Sequence, residues 1–233
     1  MDDLQERYDI QLAAAWILGH AVRTGVPALP ASIVCKKASD CSEAECLRVV
    51  RAGCEAGLKL YPFKRSTHSL PRVRNVLGFL RSIQFETMLD VGSGRGIFLL
   101  PFLKEFPGVQ VTSLDVRDDR VEFLGELACG GFPQLSALRG DVCEKLYPEG
   151  TFDVVCMLEV LEHIPQVEHA VEAAVCMASR HVVVSVPSKP DNNPEHIHLL
   201  TKGRLTDLFC AAGCDRLRFS GVNGHLIMVA TVV

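Results

Sequence analysis

Apolar positions recur at Leu4, Tyr8, Leu12, Ala15, Leu18 and Val22. That spacing is close to the helical period, so residues 4–24 read as one amphipathic helix. Val26-Pro27-Ala28-Leu29-Pro30 ends it, because proline lacks the amide proton a helix needs. Ser42, with Glu45 three residues on, is a capping-box signature. It predicts a second helix running through Leu47, Val50 and Leu58, and a third, short helix follows over Pro71–Ser82. From residue 87 the pattern changes. Apolar runs of strand length cover Thr87–Val91, Val109–Asp115, Ser136–Arg139, Phe152–Leu158 and His181–Val186. They alternate with helical segments near 95–106, 118–129, 166–179 and 202–212. Arg216–Phe219 and His225–Val232 complete the series. The alternation predicts an α/β fold, a mostly parallel sheet with helices on both faces. Only Gly221-Val222-Asn223-Gly224 separates the last two strands. That is too short for a crossover helix, so they pair antiparallel. The chain divides into a helical extension over 1–66 and an α/β unit over 67–233.

Composition narrows the class. With 233 residues, 48% of them hydrophobic, the chain can bury the core of one full α/β domain plus a short extension. A formal net charge of −4 argues against a protein that grips nucleic acid through bulk charge. The ten cysteines include no C-x-x-C spacing, so a zinc ribbon or dithiol redox motif has no support. Several sit in apolar runs, such as Cys156 in Val154-Val155-Cys156-Met157, and read as small buried hydrophobes of a reducing cytosol. The start, Met1-Asp2-Asp3, is acidic and lacks an apolar signal core. Leu12–Leu18 is far shorter than the roughly 20 residues that span a bilayer. The expectation is a soluble, cytoplasmic protein with no membrane partner.

The strongest chemical signal is Met88-Leu89-Asp90-Val91-Gly92-Ser93-Gly94-Arg95-Gly96. A strand runs into a glycine-rich turn that opens a helix near Ile97. Glycines allow a sharp turn and close approach of a ligand, and the helix start presents free N–H groups. Dinucleotide sites show G-x-G-x-x-G, which seats a pyrophosphate on that helix end. Here the glycines at 92, 94 and 96 give G-x-G-x-G, led by Asp90. That acid repels a pyrophosphate and suits an ammonium group. Asp115 ends the second strand about 20 residues later, where a carboxylate meets the two ribose hydroxyls of an adenosine. Arg139-Gly140-Asp141-Val142 follows the third strand and offers an acid and a backbone N–H to an adenine edge.

These motifs make residues 85–233 resemble the class I S-adenosylmethionine (SAM)-dependent methyltransferases. The resemblance implies a Rossmann-like seven-stranded sheet in the order 3-2-1-4-5-7-6, strand 7 antiparallel. It further implies that Asp90, Gly92, Gly94 and Gly96 hold the methionine part of SAM. Asp115 would hold the ribose, Asp141 and Val142 the adenine, and Leu158 and Glu159 would lie near the sulfonium. After the fourth strand, Glu159-Val160-Leu161-Glu162-His163 places 159, 162 and 163 on one face of a helical turn. That E-x-x-E-H run is similar to one in ubiquinone-pathway O-methyltransferases. It is also similar to the metal-binding motif of small-RNA 3′-terminal ribose 2′-O-methyltransferases, in which a later histidine matches His196. Three roles stay open for it: a cation site for Mg²⁺ or Mn²⁺ formed by Glu159, Glu162, His163 and His196; catalytic Glu159 and His163, with His163 as general base; or a strand cap. The expected activity is methyl transfer from SAM to a small molecule. The alternative is metal-dependent methylation of RNA, contacted through the basic-aromatic linker over 59–81, with Lys59, Tyr61, Phe63, Lys64, Arg65, Arg72, Arg74 and Arg81.

Overall fold

The computed structural model describes residues 3–190 and 192–232. The helix expected over 4–24 is two helices, α1 (Asp3–Arg7) and α2 (Ile10–Thr24). Asp9 divides them. Its carboxylate accepts the Leu12 N–H at 3.3 Å and its own N–H donates to the Phe63 carbonyl at 2.8 Å. A side chain that caps a helix start stands outside the helix. After α3 (Ala31–Val34), the capping box forms as the spacing predicts: Ser42 N–H donates to Glu45 Oε2 at 2.8 Å and Glu45 N–H to Ser42 Oγ at 3.3 Å. It opens α4 (Glu43–Glu55), which stops short of Leu58. Then come α5 (Arg65–His68) and α6 (Pro71–Leu80), the latter with proline in its first turn, where a missing N–H is harmless.

The α/β unit follows the expected alternation. Its strands are β1 (Thr87–Val91), β2 (Gln110–Asp115), β3 (Leu135–Arg139), β4 (Phe152–Leu158), β5 (Ala178–Pro187), β6 (Arg216–Val222) and β7 (His225–Thr231). Between them lie α7 (Leu99–Glu105), α8 (Asp118–Gly131), α9 (Val167–Met177) and α10 (Lys202–Ala211). The sheet order is β3-β2-β1-β4-β5-β7-β6, with β7 antiparallel to both neighbours. This is the expected order and the expected fold. Asn223 and Gly224, at φ 41° and 85°, make the tight turn that right-handed strand twist favours. Alternate strand residues feed opposite cores. Val154 and Cys156 join α2, α4, α6, α7 and α8 on one side; Val155 and Met157 join α9 and α10 on the other.

The N-terminal helices share that first core. Two glycines let α2 and α8 meet backbone to backbone. A Cβ on Gly130 would lie 1.6 Å from the Ala15 carbonyl oxygen, and one on Gly19 1.9 Å from that of Glu126. The Glu126 carboxylate, 6% exposed, accepts Trp16 Nε1 at 2.8 Å and Arg23 Nε at 2.6 Å, and pairs with His20 Nδ1 at 2.8 Å. A buried charge needs such partners to be tolerated at all. Among the described residues no helix is long and apolar enough to cross a membrane.

Candidate active site

Parallel strands end together, so loops from distant segments converge at one edge of the sheet, where ligands bind open α/β folds. Here Asp90 at the end of β1 and Asp115 at the end of β2 come together across the glycine turn. Gly92 N–H donates to the Leu114 carbonyl at 2.7 Å, Gly94 N–H to Asp115 Oδ2 at 3.2 Å, and Arg117 N–H to Asp115 Oδ1 at 3.0 Å. Gly92 has φ +64°, and a Cβ there would stand 2.7 Å from Val160 Cγ2. No other residue fits both the backbone angle and the space. The turn is longer than expected, and α7 starts at Leu99 rather than near Ile97.

Asp90 is 3% exposed. Burial pushes its carboxyl up to about 7, the Ser93 hydroxyl opposes the rise, and the nearby charge of Asp115 adds to it. Leaving a negative charge dry is unfavourable, and a cationic group placed beside this acid would favour its ionised form.

Two cavities flank the turn. The first, of about 160 Å³, is lined by Asp90, Gly92, Gly94 and Leu158, with Arg72 and Val76 of α6 above them. The second, of about 370 Å³, is lined by Asp115, Gly140, Asp141, Val142, Val160 and His163. Gly92 and Glu159 line both. One crevice thus collects the predicted residues Asp90, Gly92, Gly94, Asp115, Asp141, Val142, Leu158, Glu159 and His163. Gly96 holds the turn closed, its N–H donating to the Ser93 carbonyl at 2.8 Å. Asp141 Oδ1 accepts the Cys143 N–H at 2.9 Å, which shapes the turn after β3.

The E-x-x-E-H run is not a continuous helical turn. Glu159 has φ +60°, strained for a side chain that is not glycine, and only Leu161–His163 form a short 3₁₀ turn. Glu159 therefore leaves the face that was expected to carry all three side chains. Its Oε1 accepts the Ser185 hydroxyl at 2.7 Å and its Oε2 pairs with His225 Nδ1 at 2.9 Å. Its own N–H donates to the Ser185 carbonyl at 2.8 Å. Glu162, His163 and His196 do gather, with one donor atom each within 4.8 Å of one another. The segment carrying His196 is strapped down: Ile197 and His198 N–H both donate to the Glu162 carbonyl, at 2.9 and 3.3 Å. His163 Nδ1 meets the Glu195 carbonyl at 2.9 Å. A carbonyl only accepts, so His163 Nδ1 donates in that contact.

Ser185 and His225 were absent from the sequence reading. Neither belongs to a local motif; His225 reaches Glu159 only because β7 returns beside β5. The basic linker also disperses: Arg72 turns into the first cavity, Arg81 pairs with Glu105, and Arg65 Nε donates to the Gln5 carbonyl at 3.1 Å.

A family model described as "Methyltransferase domain" matches residues 63–217. The ubiquinone biosynthesis O-methyltransferase of Rickettsia conorii is 30% identical over 104 residues, 45% of this chain and 35% of that one. Its namesake from Vibrio campbellii is 28% identical over 149 residues, 63% of this chain and 57% of that one. The match thus spans from about a third to a little over half of these relatives' length. The crystal structure of a SAM-dependent methyltransferase from Aquifex aeolicus shares the fold. Its TM-score is 0.57 at 19% identity, over 70% of this chain and 97% of that one.

Proposed function

The chain belongs to the methyltransferase domain family, and from that premise we propose that it moves a methyl group from SAM to a small-molecule acceptor. The observation that carries this reading is the pair of buried acids, Asp90 and Asp115, at adjacent strand tips on either side of a glycine turn. In this reading Asp90 and the turn backbone take the ammonium end of SAM, and Asp115 takes the ribose hydroxyls. Asp141 and Val142 border the adenine. Arg72 stands in the same cavity as Asp90 and offers a cation to a carboxylate. Glu159, at the junction of the two cavities, faces the reacting sulfonium.

The reaction is an in-line displacement. An acceptor oxygen attacks the methyl carbon, the C–S bond breaks, and its electron pair stays on sulfur, leaving S-adenosylhomocysteine (SAH). The donor is already activated, so alignment and exclusion of water carry most of the acceleration. Glu159 receives the acceptor's hydroxyl proton, and its ties to Ser185 and His225 fix it for that task. The similarity to ubiquinone biosynthesis O-methyltransferases favours a hydroxyl acceptor. Glu162, His163 and His196 form a divalent-cation site in this reading, and one carboxylate with two imidazoles is a suitable donor set. The cation would supply charge to polarise an acceptor oxygen. Labelled SAM offered to metabolite, protein and RNA pools, with and without Mg²⁺ or Mn²⁺, tests the proposal. Label entering a metabolite is expected; label entering RNA alone, or none with SAM unbound, refutes it.

A further inference from the structure

A third cavity, of about 390 Å³, lies outside the crevice, between the N-terminal helices and α8. That volume is in the range of small-molecule sites. Trp16, Tyr61 and Phe123 give it an aromatic part. Trp16 packs against Phe123 with ring centroids 5.6 Å apart, and Tyr61, 48% exposed, stands at the mouth. Lys59, Arg95 and Arg120 bring positive charge to the same space. Arg95 lies 6.0 Å from the Tyr61 ring centroid, with Lys64 4.9 Å from that centroid.

The charge ledger of this cavity is uneven. Its three acids all have partners outside its cationic rim. Glu126 is held by Trp16, His20 and Arg23, Glu122 by Arg23 at 2.6 Å, and Asp119 by Arg117 at 2.9 Å. Arg120 has only a longer 3.4 Å contact to Asp119. Among the described residues, no carboxylate pairs with Lys59 or Arg95. The uncommitted charge is therefore positive, in a chain whose net charge is −4. Aromatic rings beside Lys59 and Arg95, which have no carboxylate partner among the described residues, suit a flat molecule with negative charge at its edge, since rings stack and guanidinium binds carboxylate or phosphate oxygens.

We propose that this cavity is a second ligand site, separate from the crevice, that takes a planar aromatic anion. The ring system lies against Trp16 and Tyr61, and the anionic group meets Lys59, Arg95 and Arg120. Arg95 also lines the first cavity of the crevice, so the two sites adjoin. The site does not depend on methyl transfer.

Trp16 is the chain's single tryptophan, so its emission reports occupancy directly. The full chain is titrated with 2-naphthoate and with its neutral isostere 2-naphthamide, by calorimetry and by Trp16 fluorescence. The carboxylate is expected to quench saturably and to bind about tenfold more tightly than the amide, as one charge-assisted hydrogen bond provides. Lys59→Gln and Arg120→Gln combined should remove most of that difference while leaving amide binding unchanged. Tyr61→Leu should weaken both ligands. Saturating SAH should leave the naphthoate site available. Absence of saturable quenching, equal affinity for acid and amide, or exclusion of naphthoate by SAH would each overturn the proposal. Failure of SAH to bind would count against the methyl-transfer reading and leave the naphthoate titration as an independent test.

Discussion

Asp90→Asn should make the ligand-free protein more stable while crippling its binding of SAH. Raising the carboxyl from its ordinary 3.8 to about 7 corresponds to about 4 kcal/mol, at 1.36 kcal/mol per pH unit. The folded-state value lies above the unfolded one, so the sign is fixed. Stability from the bound proton is complete below about pH 4 and is lost as pH rises to about 7. Between pH 5 and 8 the wild type should lose about 2–3 kcal/mol that the amide variant keeps. For a chain of this length that is about 5–10 °C in the melting midpoint. Burying the amide has its own cost, but that cost does not change with pH. Calorimetric melts of both proteins at four or five pH values read the difference directly. SAH should bind the variant about a hundredfold more weakly, because its ammonium loses a desolvated carboxylate partner. Binding to the wild type near pH 7 should release a proton, visible as a buffer-dependent heat. An advantage for Asp90→Asn that stays constant from pH 5 to 8, or unchanged SAH affinity, would refute the reasoning.

Other substitutions follow from the same geometry. Gly92→Ala places a Cβ 2.7 Å from Val160 at φ +64° and should lower stability by about 1–3 kcal/mol in thermal melts. Adding Val160→Ala should recover only the steric part. Gly130→Ala would drive a methyl into the Ala15 carbonyl, separating α2 from α8. Its destabilisation should exceed about 3 kcal/mol, measured by chemical denaturation. Glu126→Ala leaves Trp16 and His20 without their shared acceptor, while Arg23 keeps Glu122, and should cost about 1–3 kcal/mol in the same assay. Asp115→Ala should weaken SAH about tenfold or more in calorimetry, by loss of one bidentate ribose contact, and should lower stability by about 1–3 kcal/mol because the Gly94 and Arg117 N–H groups lose their acceptor.

What the chain determined by itself is local. Asp90 and the G-x-G-x-G run mark an acid-led glycine turn at a strand tip, because both features need only neighbouring residues. The strand and helix alternation declares the sheet, because burial on two faces imposes continuous apolar runs such as Val154–Met157. Strand pairing then brings Asp90, Asp115, Asp141 and Glu159 to one edge, as parallel order requires. Tertiary structure decided the rest. Helical spacing put Glu159 beside Glu162 and His163, yet backbone strain at φ +60° turns it to Ser185 and His225. Those partners come from strands 26 and 66 residues away, beyond the reach of any periodicity. The run of cations over 59–81 looked continuous, and the packing of α6 and α7 sent Arg72 inward and Arg81 to Glu105. Trp16 and Glu126 stand 110 residues apart in the chain. Two glycines far apart in sequence, Gly19 and Gly130, let α2 and α8 touch beside that cavity.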